Sequence, residues 1–148
     1  MAFHTITFSV LDGPQTDVGL DVGARQAHWG GSPSTKRALI DTGSTATAVS
    51  PAIRQALKPM KVGRPRVHLP GVGVVWDDTY FVRLKFGGHA RPGRWFGLEV
   101  IEYQPSTPNI DVLIGMDLLV MIKMMWDGPR GLLQRFAYAL HTARPEPC

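Results

Sequence analysis

The apolar residues of this chain arrive in short runs that alternate with polar ones and stop at glycine or proline, and that rhythm limits the fold more than any other feature. Phe3 to Leu11 sets Phe3, Thr5, Thr7 and Ser9 against His4, Ile6, Phe8 and Val10, the period of a strand with one apolar face, before Asp12-Gly13-Pro14 stops it. Gln15 to Lys36 is rich in Gly, Asp, Ser and Pro, with a short strand at Val18 to Val22 and a loop at Gly30-Gly31-Ser32-Pro33. Arg37 to Asp41 is short and apolar enough for an interior strand. Val62 to Val67, Tyr80 to Phe86, Trp95 to Glu102 and Ile110 to Ile114 read as further strands. A terminal hairpin is expected from Ile122 to Trp126 and Leu132 to Leu140, around the turn Asp127-Gly128-Pro129-Arg130-Gly131. Only two helices fit: Pro51 to Leu57, capped by Ser50 and stopped by Pro59, and one short helical stretch within Met116 to Met121. Many short strands at roughly even spacing predict an all-β barrel or sandwich with one or two short helices, not an alternating βα fold.

At 148 residues the chain is most simply one domain, spanning 1–148, with 1–35 a strand plus irregular loop and 141–148 a loose tail. Lys and Arg total 16 against 12 Asp and Glu, a net +4, but the excess is scattered, so no nucleic-acid partner is expected. The single cysteine, Cys148, cannot form an intrachain disulfide. No charged leader precedes an apolar block, and Asp117 and Lys123 interrupt the longest apolar stretch, so the expectation is a cytoplasmic protein with no membrane span. His4, His28, His68, His89 and His141 stand outside any ligand spacing, so neither a metal nor another cofactor is expected. Met116, Met121, Met124 and Met125 read as core or interface filling.

Chemistry concentrates in Ala38-Leu39-Ile40-Asp41-Thr42-Gly43-Ser44-Thr45, where a carboxylate follows three apolar residues and precedes a glycine that lets the chain turn. A surface turn and a catalytic carboxylate both fit the tripeptide Asp41-Thr42-Gly43 alone. Buried beside the strand end, the carboxylate needs donors, and Thr42, Ser44 and backbone N–H groups are at hand. Acid and base work together requires two carboxylates, yet the chain holds one Asp-Thr-Gly. A second copy related by a two-fold axis would set Asp41 against its own image without further sequence. Asp111 and Asp117 are better read as a strand-start residue and a structural acceptor at a helix start.

The stretch LIDTGST resembles the active-site motif of aspartic proteases, and Asn109-Ile110-Asp111-Val112-Leu113-Ile114-Gly115-Met116-Asp117-Leu118-Leu119 is similar to the second signature of the single-domain, retropepsin-like group. Leu69-Pro70-Gly71-Val72-Gly73-Val74 resembles the glycine-bearing tip of that group's flap, although a plain hairpin turn reads equally from these residues. The resemblance implies a small closed barrel with a β-hairpin flap, working as a homodimeric aspartic endopeptidase on peptide or protein substrates. It implies Asp41 as catalytic, Thr42 as the hydroxyl that links the two catalytic loops, and Gly43 as the residue permitting the loop. Ser44 would brace the carboxylate or bind substrate backbone. Gly71, Val72 and Gly73 would belong to the flap, and Ala48, Val49, Val72, Val74 and Ile114 would form an apolar substrate pocket. Two positions depart from the viral pattern: Thr45 and Met116 stand where an aspartate and arginine pair is usual, which is closer to the cellular and bacterial branch. A catalytically silent dimerisation or peptide-binding module and a small nucleic-acid-binding barrel remain the alternatives.

Overall fold

The computed structural model describes residues 3–7, 13–23, 34–69, 73–103, 105–127 and 132–137. Strand β2 (Gln15–Asp21) starts earlier than its sequence suggests, because Thr16, Val18 and Leu20 alternate inward while Gly19 passes a crossing segment. A Cβ on Gly19 would lie 2.7 Å from His89 Cα and 2.8 Å from His89 N, so only glycine fits there. Strand β3 (Ser34–Ile40) runs antiparallel to it.

After the short strand β4 (Ala48–Val49), helix α1 (Pro51–Leu57) begins where Ser50 Oγ accepts the Ile53 N–H and Pro51 occupies the first turn. Lys58, in the left-handed region at φ 48, ends it. Ile53 and Leu57 face inward, each contributing about 2 to 3 kcal/mol by leaving water. The single extended run expected over Val62 to Val67 is two strands, β5 (Lys61–Gly63) and β6 (Arg66–Leu69), because Arg64-Pro65 breaks the pairing. Among the described residues β6 pairs only with β7 (Gly73–Trp76), an antiparallel pair separate from the main sheet.

Strand β8 (Thr79–Phe86) is the longest and pairs with β9 (Phe96–Glu102), β5 and β2. Strand β10 (Val112–Ile114) leads into helix α2 (Met116–Leu119), then β11 (Lys123–Asp127) and β12 (Leu132–Ala137). The main sheet runs β2-β3-β10-β4-β9-β8-β5, and the extra β2–β8 pairing closes it into a six-stranded mixed barrel. This is the closed all-β barrel that the sequence resemblance implied, with the two short helices.

The barrel is filled by Val18, Leu20, Ala38, Ile40, Val49, Val82, Leu84, Val100, Val112 and Ile114, with Leu118 and Leu119 packed against them from α2. At its rim Arg83 donates to both carboxylate oxygens of Asp21 at 2.6 Å, and this hydrogen bonding holds the guanidinium above its ordinary pKa. A smaller sheet, ordered β1-β12-β11, joins strand β1 (Phe3–Thr7) to the C-terminal hairpin. Among the described residues no helix is long and apolar enough to cross a membrane.

Candidate active site

Strand order places the site. β10 lies between β3 and β4, parallel to the first and antiparallel to the second, so the connection 41–47 must arch over the end of β10. Asp41 begins that arch at the end of β3, its N–H donating to the Ile114 carbonyl at 2.9 Å. Gly43 N–H donates to Asp41 Oδ1 at 2.9 Å, and Ser44 N–H to the Asp41 carbonyl at 3.2 Å. The carboxylate is thus oriented by its own loop, half-buried, while Thr42 and Gly43 are exposed. The Ser44 hydroxyl donates to the Ala46 carbonyl at 2.7 Å and not to the carboxylate, so it braces the arch.

Beneath the arch two backbones nearly touch. A Cβ on Gly115 would lie 2.5 Å from both the carbonyl carbon and the oxygen of Ala46 and 2.9 Å from Thr47 N. Thr47, fully buried, fastens the contact: its Oγ1 accepts the Gly115 N–H at 3.1 Å and donates to Asp117 Oδ1 at 2.7 Å. Asp117 Oδ2 accepts the Thr47 N–H at 2.9 Å, and the Met116 and Asp117 N–H groups donate to the Ser44 and Thr45 carbonyls. Asp117 is therefore a structural acceptor, as is Asp111, whose Oδ1 accepts from the Ser50 hydroxyl at 3.1 Å.

Removing the Asp117 carboxylate strands a buried N–H and a buried hydroxyl together. We expect Asp117→Ala to cost about 3 kcal/mol in chemical denaturation and Asp117→Asn clearly less, since the amide oxygen still accepts.

The arch borders a cavity of about 250 Å³ whose floor is one row of side chains across four strands. Register sets Leu39 beside Leu113, Leu113 beside Ala48 and Ala48 beside Ile101, and all four line the cavity. Tyr103 and Pro105 continue the apolar wall, while Ser106 and Thr107 complete the rim opposite Ser44, Thr45 and Ala46. Among the described residues Asp41 is the only carboxylate in the lining, and no lysine, arginine or histidine joins it.

Of the residues expected from sequence, Asp41, Gly43, Ser44 and Ala48 line the cavity, and Thr42 lies between two of them. Val49 and Ile114 do not: both are fully buried in the barrel core. Strand alternation sends their neighbours Ala48 and Leu113 to the cleft instead. Gly73 and Val74 start strand β7, Gly73 at φ 92 and Val74 exposed, and neither reaches the cavity lining. Gly71 and Val72 fall outside the described residues. Thr47, Ile101 and Tyr103 were not anticipated. Thr47 is six residues past Asp41 in a loop of small hydroxyls, with nothing local to single it out, whereas Leu39, equally outside the expected residues, carries a signal: it stands two before Asp41 on the same strand face.

No family model matches this sequence, and no curated protein matches it by sequence. Solved structures do match. A retropepsin-like aspartic protease from Rickettsia conorii superposes with a TM-score of 0.58 at 16% identity, over 92% of this chain and 91% of that one. The EIAV protease in complex with the inhibitor HBY-793 superposes with a TM-score of 0.50 at 19% identity, over 78% of this chain and 92% of its own.

Proposed function

We propose that this chain, which has the retropepsin-like aspartic protease fold, is an aspartic endopeptidase whose active site forms from two copies. The observation that carries the reading is a single loop-held carboxylate, Asp41, beside a cavity whose lining, among the described residues, contains no other ionisable acid or base except the Tyr103 phenol. One carboxylate cannot supply acid and base at once, and the exposed Thr42-Gly43 edge of the loop is where a second copy must approach.

In the dimer the two Asp41 carboxyls share one proton and hold one water. The charged member takes a proton from the water as its oxygen attacks the substrate carbonyl carbon, and the protonated member donates to the developing oxyanion. On collapse the carboxylate that gave up its proton takes one back from a hydroxyl of the tetrahedral species as the carbonyl re-forms and the C–N bond breaks, while the other carboxyl passes the proton it took from water to the departing amine. No covalent bond to the protein forms. The row Leu39, Leu113, Ala48 and Ile101 with Tyr103 and Pro105 favours an apolar substrate side chain next to the cut, and Thr42 links the two loops across the axis. The hairpin of β6 and β7 serves as the flap, covering an extended peptide through backbone contacts.

The test is kinetic. Assayed on a peptide library below the dimer dissociation constant, cleavage should rise with about the square of protein concentration, then become linear once dimers dominate. Cleavage linear throughout, from a species of monomer mass, would sink the shared-site reading.

A further inference from the structure

Strand β8 buries a cation that no acid neutralises. Lys85 is 6% exposed, and among the described residues its Nζ meets no carboxylate: it donates to the His89 carbonyl at 2.7 Å and lies 4.7 Å from the centre of the Trp95 ring. An ammonium has three donors, and this contact uses one. Its cover is the segment between β8 and β9. Gly87 and Gly88, at φ 82 and 85, turn the chain back, and His89 crosses β2 in the space that Gly19 leaves. The His89 N–H then donates to Thr35 Oγ1 at 2.9 Å. Beneath the cover the Lys85 stem packs so close to Gly93 that a Cβ there would lie 3.4 Å from Lys85 Cγ.

The cover is itself basic. Arg91 and Arg94 are exposed on it, and no acid occurs from Gly87 to Leu98 or in the segment 24–33 that joins β2 to β3. Acids on the neighbouring strands are already engaged. Asp21 holds Arg83 by both oxygens, Asp17 pairs with Arg37 at 3.2 Å, and Glu99 accepts from Thr79 Oγ1 at 3.2 Å, six positions along β8 from Lys85. Arg83 adds a second cation beside Trp95, 5.1 Å from the ring centre. Arg83, Lys85, Arg91 and Arg94 therefore stand against the single carboxylate of Asp21, and the field of Lys85 is weakly screened because the charge lies out of water.

We infer that this patch around Trp95 is a docking site for an acidic segment of a polypeptide. Arg91 and Arg94 pair with its carboxylates as planar forks, and Lys85 draws it from below without touching it. A nucleic acid fits less well. The Trp95 ring is taken up by Arg83 and Lys85, with the His89 ring 5.7 Å away, so no face is open to a base, and the cations sit on one loop and one strand end instead of lining a groove. A bilayer would need exposed apolar side chains beside the cations, and among the described residues none of the large ones lies within 83–96. Thr35, which anchors the cover, precedes Asp41 by six residues of nearly continuous strand, about 20 Å, and no residue of the patch lines the cavity. The site is separate from the cleft and stands whether or not Asp41 cleaves peptides.

The probe is a fluorescein-labelled oligoglutamate peptide, read by anisotropy at pH 7 and low salt against the full chain carrying Asp41→Asn, where no result depends on cleavage. Binding should saturate and should weaken as salt is added. Arg91→Gln combined with Arg94→Gln should weaken it at least about 20-fold, whereas Lys58→Gln combined with Arg64→Gln, an equal loss of exposed charge elsewhere, should change it by less than about twofold. Both arginines already face water, so this test does not depend on a delicate fold. Lys85→Met should weaken binding at least about 5-fold, and added peptide, which raises the Tm of the parent, should raise that of this variant less. Unchanged affinity in Lys85→Met beside a lowered Tm would make the lysine a peg of the loop and overturn the buried charge as the source of the field. No saturable binding, or equal weakening by the Lys58 and Arg64 pair, would overturn the site. Tighter binding of a single-stranded oligonucleotide of equal charge would overturn the acidic-peptide assignment in favour of a nucleic-acid contact.

Discussion

Asp41→Asn should abolish peptide cleavage, lowering kcat/KM by roughly three orders of magnitude or more, with the fold intact. The substitution keeps shape and keeps an oxygen where Oδ1 accepts the Gly43 N–H at 2.9 Å, so the arch has no reason to move. What disappears is the ability to take a proton from water, and in a homodimer it disappears from both halves of the site at once. Circular dichroism and thermal melting should therefore match the parent while activity is gone. Mixing sharpens the result. Adding an equal amount of Asp41→Asn chain to a fixed amount of fully dimeric wild type, with time for exchange, leaves about half the original wild-type pairs by random reassortment. Activity should fall to about half if both carboxylates are required, and stay unchanged if each chain carries a complete site of its own. A biological readout that survives Asp41→Asn would mark the barrel as a silent binding module.

The second large effect belongs to Gly115. In Gly115→Ala the added methyl meets the carbonyl carbon and oxygen of Ala46 at 2.5 Å, both main-chain atoms of the arch, so no side chain can swing away. Relief requires lifting the arch off β10, which breaks the Gly115 N–H bond to Thr47 Oγ1 and the Met116 and Asp117 N–H bonds to the arch. We expect a loss of at least about 3 kcal/mol, a fall in Tm of about 6 to 12 °C or failure to accumulate as folded protein. Gly97→Ala is the control. Its methyl would meet only the Phe81 ring, at 3.0 Å, which can rotate aside, and the cost should stay near or below about 1 kcal/mol.

Alternation made the strands legible in the sequence, and the Asp41 turn was visible because a carboxylate after Leu39-Ile40 is costly without purpose. What alternation leaves undecided is which face of a strand meets the cleft. Val49 and Ile114 are as apolar as Ala48 and Leu113, and only the pairing of four strands shows that Leu39, Leu113, Ala48 and Ile101 share one row. The true start of β2 went unmarked because Gln15, Thr16 and Asp17 carry no apolar side chain to signal the inward face, and the reason for glycine at position 19 lies seventy residues away at His89. Thr47 was unreadable for the same cause: its partners, Gly115 and Asp117, are separated from it by 68 and 70 residues.

The placement of β10 between β3 and β4 also governs when this site can exist. Ala38 pairs with Val112, 74 positions later, so the sheet around Asp41 cannot close on a growing chain until β10 has been made. At ordinary synthesis rates that interval lasts roughly 4 to 15 s, during which the Asp-Thr-Gly stretch is exported from the ribosome without the strand that shapes it. Such distant pairing also slows folding of the finished chain, because the closure entropy precedes the contacts that offset it. On the proposed reading, the chain would be inert through its own synthesis, and cleavage should begin only after β10 is in place and a second finished copy is found.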